Sequence, residues 1–319
     1  MGFDPTTIFY VLVMAILQGV AEFLPISSSG HLLLLANIFH LPDALTLSIL
    51  LHAGTLLSVL LYFARDILYA CFKAPRVAGL VIVGSIPTAI IGFSIMYYAR
   101  SLEENLLLAG CLFIVTGIIL MTVMRSRFRI SEFDEYYDQI EANEEGDEDI
   151  EFPEPKTYET TTWLDAIFIG IAQGFAALPG LSRSGTTISA ALARNFDREW
   201  AGKFSFLLSI PVIGGGALLE IKKLFEEAEG DTFAEKFFSD PLFVVYLGGA
   251  VTSFLVGWFA LSILMRLLRD GRLHHFAWWL FIIGPATIIY WCHLNWETVL
   301  PILEKSEWIS LFLQRIGLA

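Results

Sequence analysis

The sequence predicts an all-α polytopic membrane protein, with about six transmembrane helices and two re-entrant helical hairpins in an inverted-topology repeat. Three observations carry that prediction. Of 319 residues, 55% are hydrophobic and only 17% charged, with a mean hydropathy of +0.64, whereas soluble domains carry about 25% charged residues. Six apolar stretches approach the bilayer-spanning length of about 20 residues. And two polar, Pro-broken segments, "QGVAEFLPISSSGH" at 18–31 and "QGFAALPGLSRSGT" at 173–186, match at six of fourteen positions with a constant offset of 155.

Taken in order, the first repeat covers 1–130. It opens with a hairpin over 8–39, in which Ile8–Leu24 is apolar, Pro25 interrupts, and Leu32–Phe39 resumes after the serines. Pro cannot continue a hydrogen-bonded helix, and Ser is a favoured N-cap, so the segment reads as helix, break and short helix. Neither arm reaches about 30 Å of hydrocarbon at about 1.5 Å per residue. The broken tip therefore sits inside the protein, where irregular backbone at membrane depth is tolerated. Spans at 44–64, 78–98 and 105–125 follow. Residues 131–160 form an acidic cytoplasmic loop, with no apolar periodicity and a solvated, disordered character. The second repeat, 161–293, has its hairpin at 163–195, broken at Pro179-Gly180, and spans at 200–219, 242–267 and 276–293. Three spans per repeat turn the second copy upside down relative to the first, an arrangement of transporter-like folds. Residues 294–319 read as a tail on the outer face.

Nearly all of the net charge of −13 belongs to one segment, since 13 acidic residues and a single lysine fall between Ser131 and Glu159. Basic residues instead mark one side of the membrane. Arg65, Lys73 and Arg76, then Arg125, Arg127 and Arg129, then Arg266, Arg269 and Arg272 share a face that the positive-inside rule makes cytoplasmic. Both termini then lie outside, and nothing at the N-terminus reads as a removable signal peptide. Cys71, Cys111 and Cys292 lack disulfide or zinc spacing and read as packing residues. No basic patch points to nucleic acid. The sequence leaves a homodimer open.

Chemistry concentrates at the two breaks. Gln18 and Glu22, four apart, share a helix face; Ser27 and Ser28 stand four and three residues before His31, with Ser29 and Gly30 between. In the second copy Ser182, Arg183, Ser184, Thr186 and Thr187 cluster around Gly180 and Gly185. A helix start offers backbone N–H groups to an anion, and an arginine adds a bidentate donor suited to phosphate. Ionisable side chains at membrane depth are costly, so Glu22 and Arg183 are the strongest functional candidates. Serines in membrane helices often only bond their own backbone, and a lone His or Gln can simply pack. The set as a whole reads as a phosphatase site, with a serine as nucleophile, His31 taking or giving a proton, and Arg183 stabilising phosphoryl oxygens. Glu22 and Gln18 could hold a divalent cation on a diphosphate.

At these residues the chain resembles the undecaprenyl-diphosphate phosphatase family associated with bacitracin resistance. That family carries an (E/Q)-x-x-x-E motif running into P-x-S-S-[ST]-G-H, and a second P-G-x-S-R-S-G-x-T motif; the likeness spans most of the chain apart from 131–159 and the tail. The resemblance implies catalytic roles for Glu22, Ser28, His31 and Arg183. It implies substrate contacts from Gln18, Ser27, Ser29, Gly30, Ser182, Ser184, Gly185, Thr186 and Thr187, and a divalent cation (Mg2+ or Ca2+) at Glu22 and Gln18. It further implies removal of one phosphate from a C55 polyprenyl diphosphate lipid, in the cell membrane, at a site open to the outer face, as a step in recycling the carrier of cell-envelope glycans. Gln18 stands where the motif also allows Glu, which leaves one carboxylate fewer for a metal. Whether Ser27, Ser28 or His31 attacks is open from sequence. A second lipid-phosphatase family that pairs S-G-H with S-R requires a His where this chain has Ser189, and is excluded. The rival function is a polyprenyl-phosphate transporter or flippase, which shares the inverted-repeat architecture; a non-catalytic scaffold would need neither Glu22 nor His31.

Overall fold

A computed structural model describes residues 5–39, 44–141, 154–227, 242–297 and 299. The first half holds α1 (Pro5–Ala21), α2 (Ser28–Phe39), α3 (Ala44–Tyr62), α4 (Ala64–Phe72), α5 (Pro75–Tyr98), the single turn α6 (Arg100–Glu103) and α7 (Leu106–Glu141). The second holds α8 (Trp163–Phe175), α9 (Arg183–Ala193), α10 (Arg198–Glu227), α11 (Phe243–Arg269) and α12 (His275–Leu294). Five of these helices are long and apolar enough to cross a membrane, six if α3 and α4, bent by 65° at their junction, count as one span. The chain is a multi-pass membrane protein.

Both broken segments form helix–break–helix pairs, α1/α2 and α8/α9, with each second helix starting at the serine cluster rather than after it. Capping explains the early starts. The Ser182 hydroxyl accepts the Gly185 N–H at 3.2 Å, and the Ser27 hydroxyl accepts the Gly30 N–H at 3.4 Å. Ser27 adopts φ +68°, a left-handed conformation that costs a non-glycine residue energy.

The two breaks meet. A Cβ on Gly30 would lie 2.9 Å from the Gly180 backbone, and one on Gly180, at φ +90°, 2.2 Å from the Ala109 carbonyl oxygen. Only glycine lets the tips approach each other and α7 this closely. Thr116 of α7 fixes the second tip, donating to the Gly180 carbonyl at 3.1 Å and accepting the Ser182 N–H at 3.2 Å.

Packing joins the halves crosswise. Helix α1 lies on α11 and α8 on α5, while α7 pairs with α12 and α3 with α11. Hydroxyls pin these crossings: Ser58 donates to the Phe254 carbonyl at 2.7 Å, Ser253 to Leu51 at 3.0 Å, and Thr88 to Gly170 at 2.8 Å. In the largest core cluster Phe63 stacks on Phe206 at 5.6 Å, and Phe23 meets Phe206 edge-on at 5.9 Å. Outside, α5 presents Ile82, Ile86, Ile90, Phe93 and Tyr97, each at least half exposed, a face that lipid covers.

On the side of the arginine-bearing loops, residues 154–162 are clasped to the second half. The buried Asp165 carboxylate accepts Lys156 Nζ at 2.7 Å and Arg194 Nε at 2.7 Å, and closes a capping box with Thr162. Arg76 reaches across to the Glu159 and Thr161 carbonyls, both at 2.6 Å.

Several expectations are revised. Helix α7 continues to Glu141, eleven residues into the stretch read as a loop, because no Gly or Pro intervenes between Gly117 and Gly146. The rest of the acidic segment, 142–153, and most of the 294–319 tail lie outside the described residues. Cys71 and Cys111 are exposed rather than packed inside.

Candidate active site

Where the two breaks meet, a cavity of about 250 Å3 opens. Its polar wall is Glu22, Ser27, Ser28, Ser29 and His52 from the first half with Ser182 and Arg183 from the second; Ala176, Ala177, Leu181, Ile213, Gly216 and Ala217 form an apolar wall. A charged head group attached to an apolar chain matches that division.

Glu22 is the hub. It follows the last turn of α1, its N–H bonded to the Gln18 carbonyl at 3.0 Å. One carboxylate oxygen, Oε1, accepts Arg183 Nη2 at 2.5 Å, an ion pair between residues 161 apart in sequence. The other, Oε2, accepts the Ser28 hydroxyl at 2.6 Å and Gln18 Nε2 at 3.2 Å. Ser28 is thus already bonded to an acceptor for its proton. Ser27 instead turns its hydroxyl to Ser29, at 3.3 Å, and to the backbone. The second guanidinium nitrogen of Arg183, Nη1, is buried with no partner among the described residues. An unpartnered guanidinium N–H is expensive and calls for an anion. The first turns of α2 and α9 both border the cavity, so two helix N-termini add positive potential there.

The remaining expected residues fall behind this wall. His31 is buried, its Nδ1 donating to the Ser27 carbonyl at 2.8 Å and its Nε2 accepting the Trp279 indole N–H at 3.0 Å. With both ring nitrogens occupied, His31 braces the tip and makes no hydrogen bond to Ser28 among the described residues. Gln18 is fully buried behind Glu22, with Oε1 unpartnered. Gly30 and Gly185 serve close packing, against Gly180 and Pro25 respectively. Ser184 bonds Ser182 at 3.3 Å, and Thr187 bonds the Arg183 carbonyl at 2.8 Å and the Ser205 hydroxyl at 2.5 Å. The Thr186 hydroxyl is buried and unpartnered. Gln173, the counterpart of Gln18, is structural, tying Thr88 of α5 to the Leu208 carbonyl of α10. His52 on α3 was not legible as a site residue; it is one imidazole in an apolar span.

The described residues form no ready-made protein cage for a divalent cation. Among the described residues no three His, Cys, Asp or Glu side chains converge. The cavity has one carboxylate, and a guanidinium, a serine and an amide already occupy it. A second cation on that carboxylate would face Arg183 directly.

The fold and the site define a multi-pass membrane protein with a buried, two-sided pocket that presents a half-free guanidinium. A model of the family described as bacitracin resistance protein BacA matches residues 11–286. The undecaprenyl-diphosphatase of Carboxydothermus hydrogenoformans is 38% identical over 284 residues, covering 88% of this chain and 96% of that protein. Its namesake in Rhodopirellula baltica is 38% identical over 281 residues, again with 88% and 96% covered, and that of Treponema denticola 32% identical over 300 residues, with 89% and 97% covered. The chain belongs to the BacA family.

Proposed function

We propose that the protein is an integral-membrane phosphatase that removes the terminal phosphate from undecaprenyl diphosphate, yielding the monophosphate and inorganic phosphate. The observation that carries this reading is the Ser28–Glu22–Arg183 chain of contacts, which sets a hydroxyl on a carboxylate acceptor beside a half-free guanidinium. In this reading the diphosphate oxygens replace Glu22 on Arg183. Ser28 Oγ attacks the terminal phosphorus while its proton passes to Glu22, and polyprenyl monophosphate leaves. Arg183 and the helix starts hold the charge of the transition state. Ser27 and Ser29 border the phosphoryl group, and His31 keeps the Ser27–Ser29 turn in register.

The pocket's depth supports a site open to the outer face. Helix α3 runs inward from Ala44, and His52 lies eight residues along it; α10 runs outward from Arg198, and Ile213–Ala217 lie roughly 25 Å from that end. Both distances support a cavity in the outer half, in a reading that makes α1/α2 and α8/α9 re-entrant hairpins of an inverted repeat and puts the arginine loops in the cytoplasm. The divalent cation (Mg2+ or Ca2+) is carried by the diphosphate oxygens rather than by a preformed cage; electron paramagnetic resonance titration with Mn2+ then detects no stoichiometric site in substrate-free protein, and such a site would disprove this.

The test is phosphate release from undecaprenyl diphosphate by purified protein in detergent. Release that disappears in Ser28→Ala is expected. Lipid binding without release would leave transport as the function.

A further inference from the structure

We propose that His52 is a catalytic residue, whose Nε2 takes the proton from the water that hydrolyses phosphorylated Ser28. The proposal rests on the serine-nucleophile reading and extends it to the second half of the reaction.

The argument begins with proton bookkeeping. When Ser28 attacks, its proton goes to Glu22 Oε2, the atom it bonds at 2.6 Å. Glu22 is then protonated and cannot accept another proton. It must return this one to Ser28 Oγ when the phosphoserine bond breaks. The attacking water therefore needs a different acceptor. Of the residues bordering the cavity, only Glu22, His52 and Arg183 carry titratable side chains, and an arginine stays protonated in proteins. His52 is what remains.

Its geometry fits that task. Nδ1 lies 2.8 Å from the Ser48 carbonyl, one helical turn back, and 3.3 Å from the Ser48 hydroxyl; since a carbonyl only accepts, a proton on Nδ1 satisfies it and leaves the lone pair on Nε2. That Nε2 makes no hydrogen bond among the described residues. It stands 4.0 Å from Glu22 Oε2, too far to bond and close enough to border the same phosphoryl group. The side chain is 29% exposed, on the cavity wall, so water reaches it. The two histidines near the motif thus differ in kind, since both nitrogens of His31 are engaged in holding structure.

The step balances. A bond forms between water oxygen and phosphorus as the Ser28 Oγ–P bond breaks. One water proton goes to His52 Nε2, Ser28 Oγ recovers its proton from Glu22, and inorganic phosphate departs. His52 then loses its proton to solvent through the mouth of the cavity.

The experiment uses a short prenyl diphosphate carrying 32P on the terminal phosphate, rapid acid quench, and the full-length protein in detergent. In His52→Ala, steady-state phosphate release falls about 100-fold or more, while close to one equivalent of label stays on the protein and is absent from His52→Ala/Ser28→Ala. His52→Asn, whose amide can still donate to the Ser48 carbonyl, guards against misfolding and gives the same trapped label. Turnover by both His52 variants within threefold of wild type overturns the proposal, as does slow turnover with no trapped label. If Ser28→Ala alone turns over normally, the phosphoserine reading fails and this proposal with it, a result distinct from normal turnover in the His52 variants alone.

Discussion

Glu22 and Arg183 neutralise each other, and that contact bears on the energetics of binding. A diphosphate head group must win the guanidinium from a carboxylate that already satisfies it. The unpartnered Nη1 gives it a first foothold. Arg183→Ala removes this grip and leaves Glu22 buried without its counter-ion. Phosphate release should fall by about 10²–10³-fold in kcat or more; a rate near wild type would mean that the guanidinium is a packing partner only. The motif residues were legible because charge and hydroxyls are conspicuous in apolar sequence. His52 was not, because a single histidine in a span carries no spacing signal, and only the convergence of α3 on the two tips gives it a role. Nor could sequence foresee that Trp279, 248 residues from His31, would occupy the imidazole nitrogen expected to act on a serine.

At the level of elements, the helix breaks are built for proximity rather than flexibility. Gly180→Ala would drive a methyl into the Ala109 carbonyl at a positive φ, and should abolish folding or cost several kcal/mol. Gly214→Ala in α10 meets nothing within 4 Å and should stabilise by about 0.5–1 kcal/mol; thermal unfolding in detergent compares the two directly. The Asp165 clasp has a pH signature. Burial raises its pKa, but Lys156, Thr162 and Arg194 outweigh that and bring it down to about 2 from 3.8. A lowered folded-state value stabilises fully above the unfolded one and is lost as pH falls through the folded one. Hydrogen exchange over 156–200 should be independent of Asp165 above pH 5 and lose protection between about 4 and 2. Loss already at pH 6 would implicate another group. Sequence foresaw the breaks, since Pro25 and Pro179-Gly180 interrupt apolar runs. It missed the 65° bend between α3 and α4, where no Pro or Gly stands between Ser58 and Ala74 and tertiary packing around Phe63 makes the turn.

For the whole molecule, crosswise packing makes neither half a separate unit, because α1 is completed by α11 and α8 by α5. Six matched positions suggested a repeat, but the exchange of partners was not readable, since apolar helix faces do not name their mates. The orientation derived from loop arginines and pocket depth predicts that right-side-out vesicles hydrolyse externally added prenyl diphosphate without permeabilisation. Activity appearing only after the membrane is breached would invert the assignment.

The Glu22–Arg183 pair also has a consequence for biosynthesis. Ribosomes add about 5–20 residues per second, so the arginine emerges roughly 10–30 s after the glutamate it pairs with, 161 residues upstream. During that interval the nascent first half carries Glu22 without its arginine, leaving Ser28 and Gln18 as its hydrogen-bond partners. The second half, on insertion, supplies the arginine that pairs with Glu22, so in the proposed reaction the site is complete only once both halves are in the membrane.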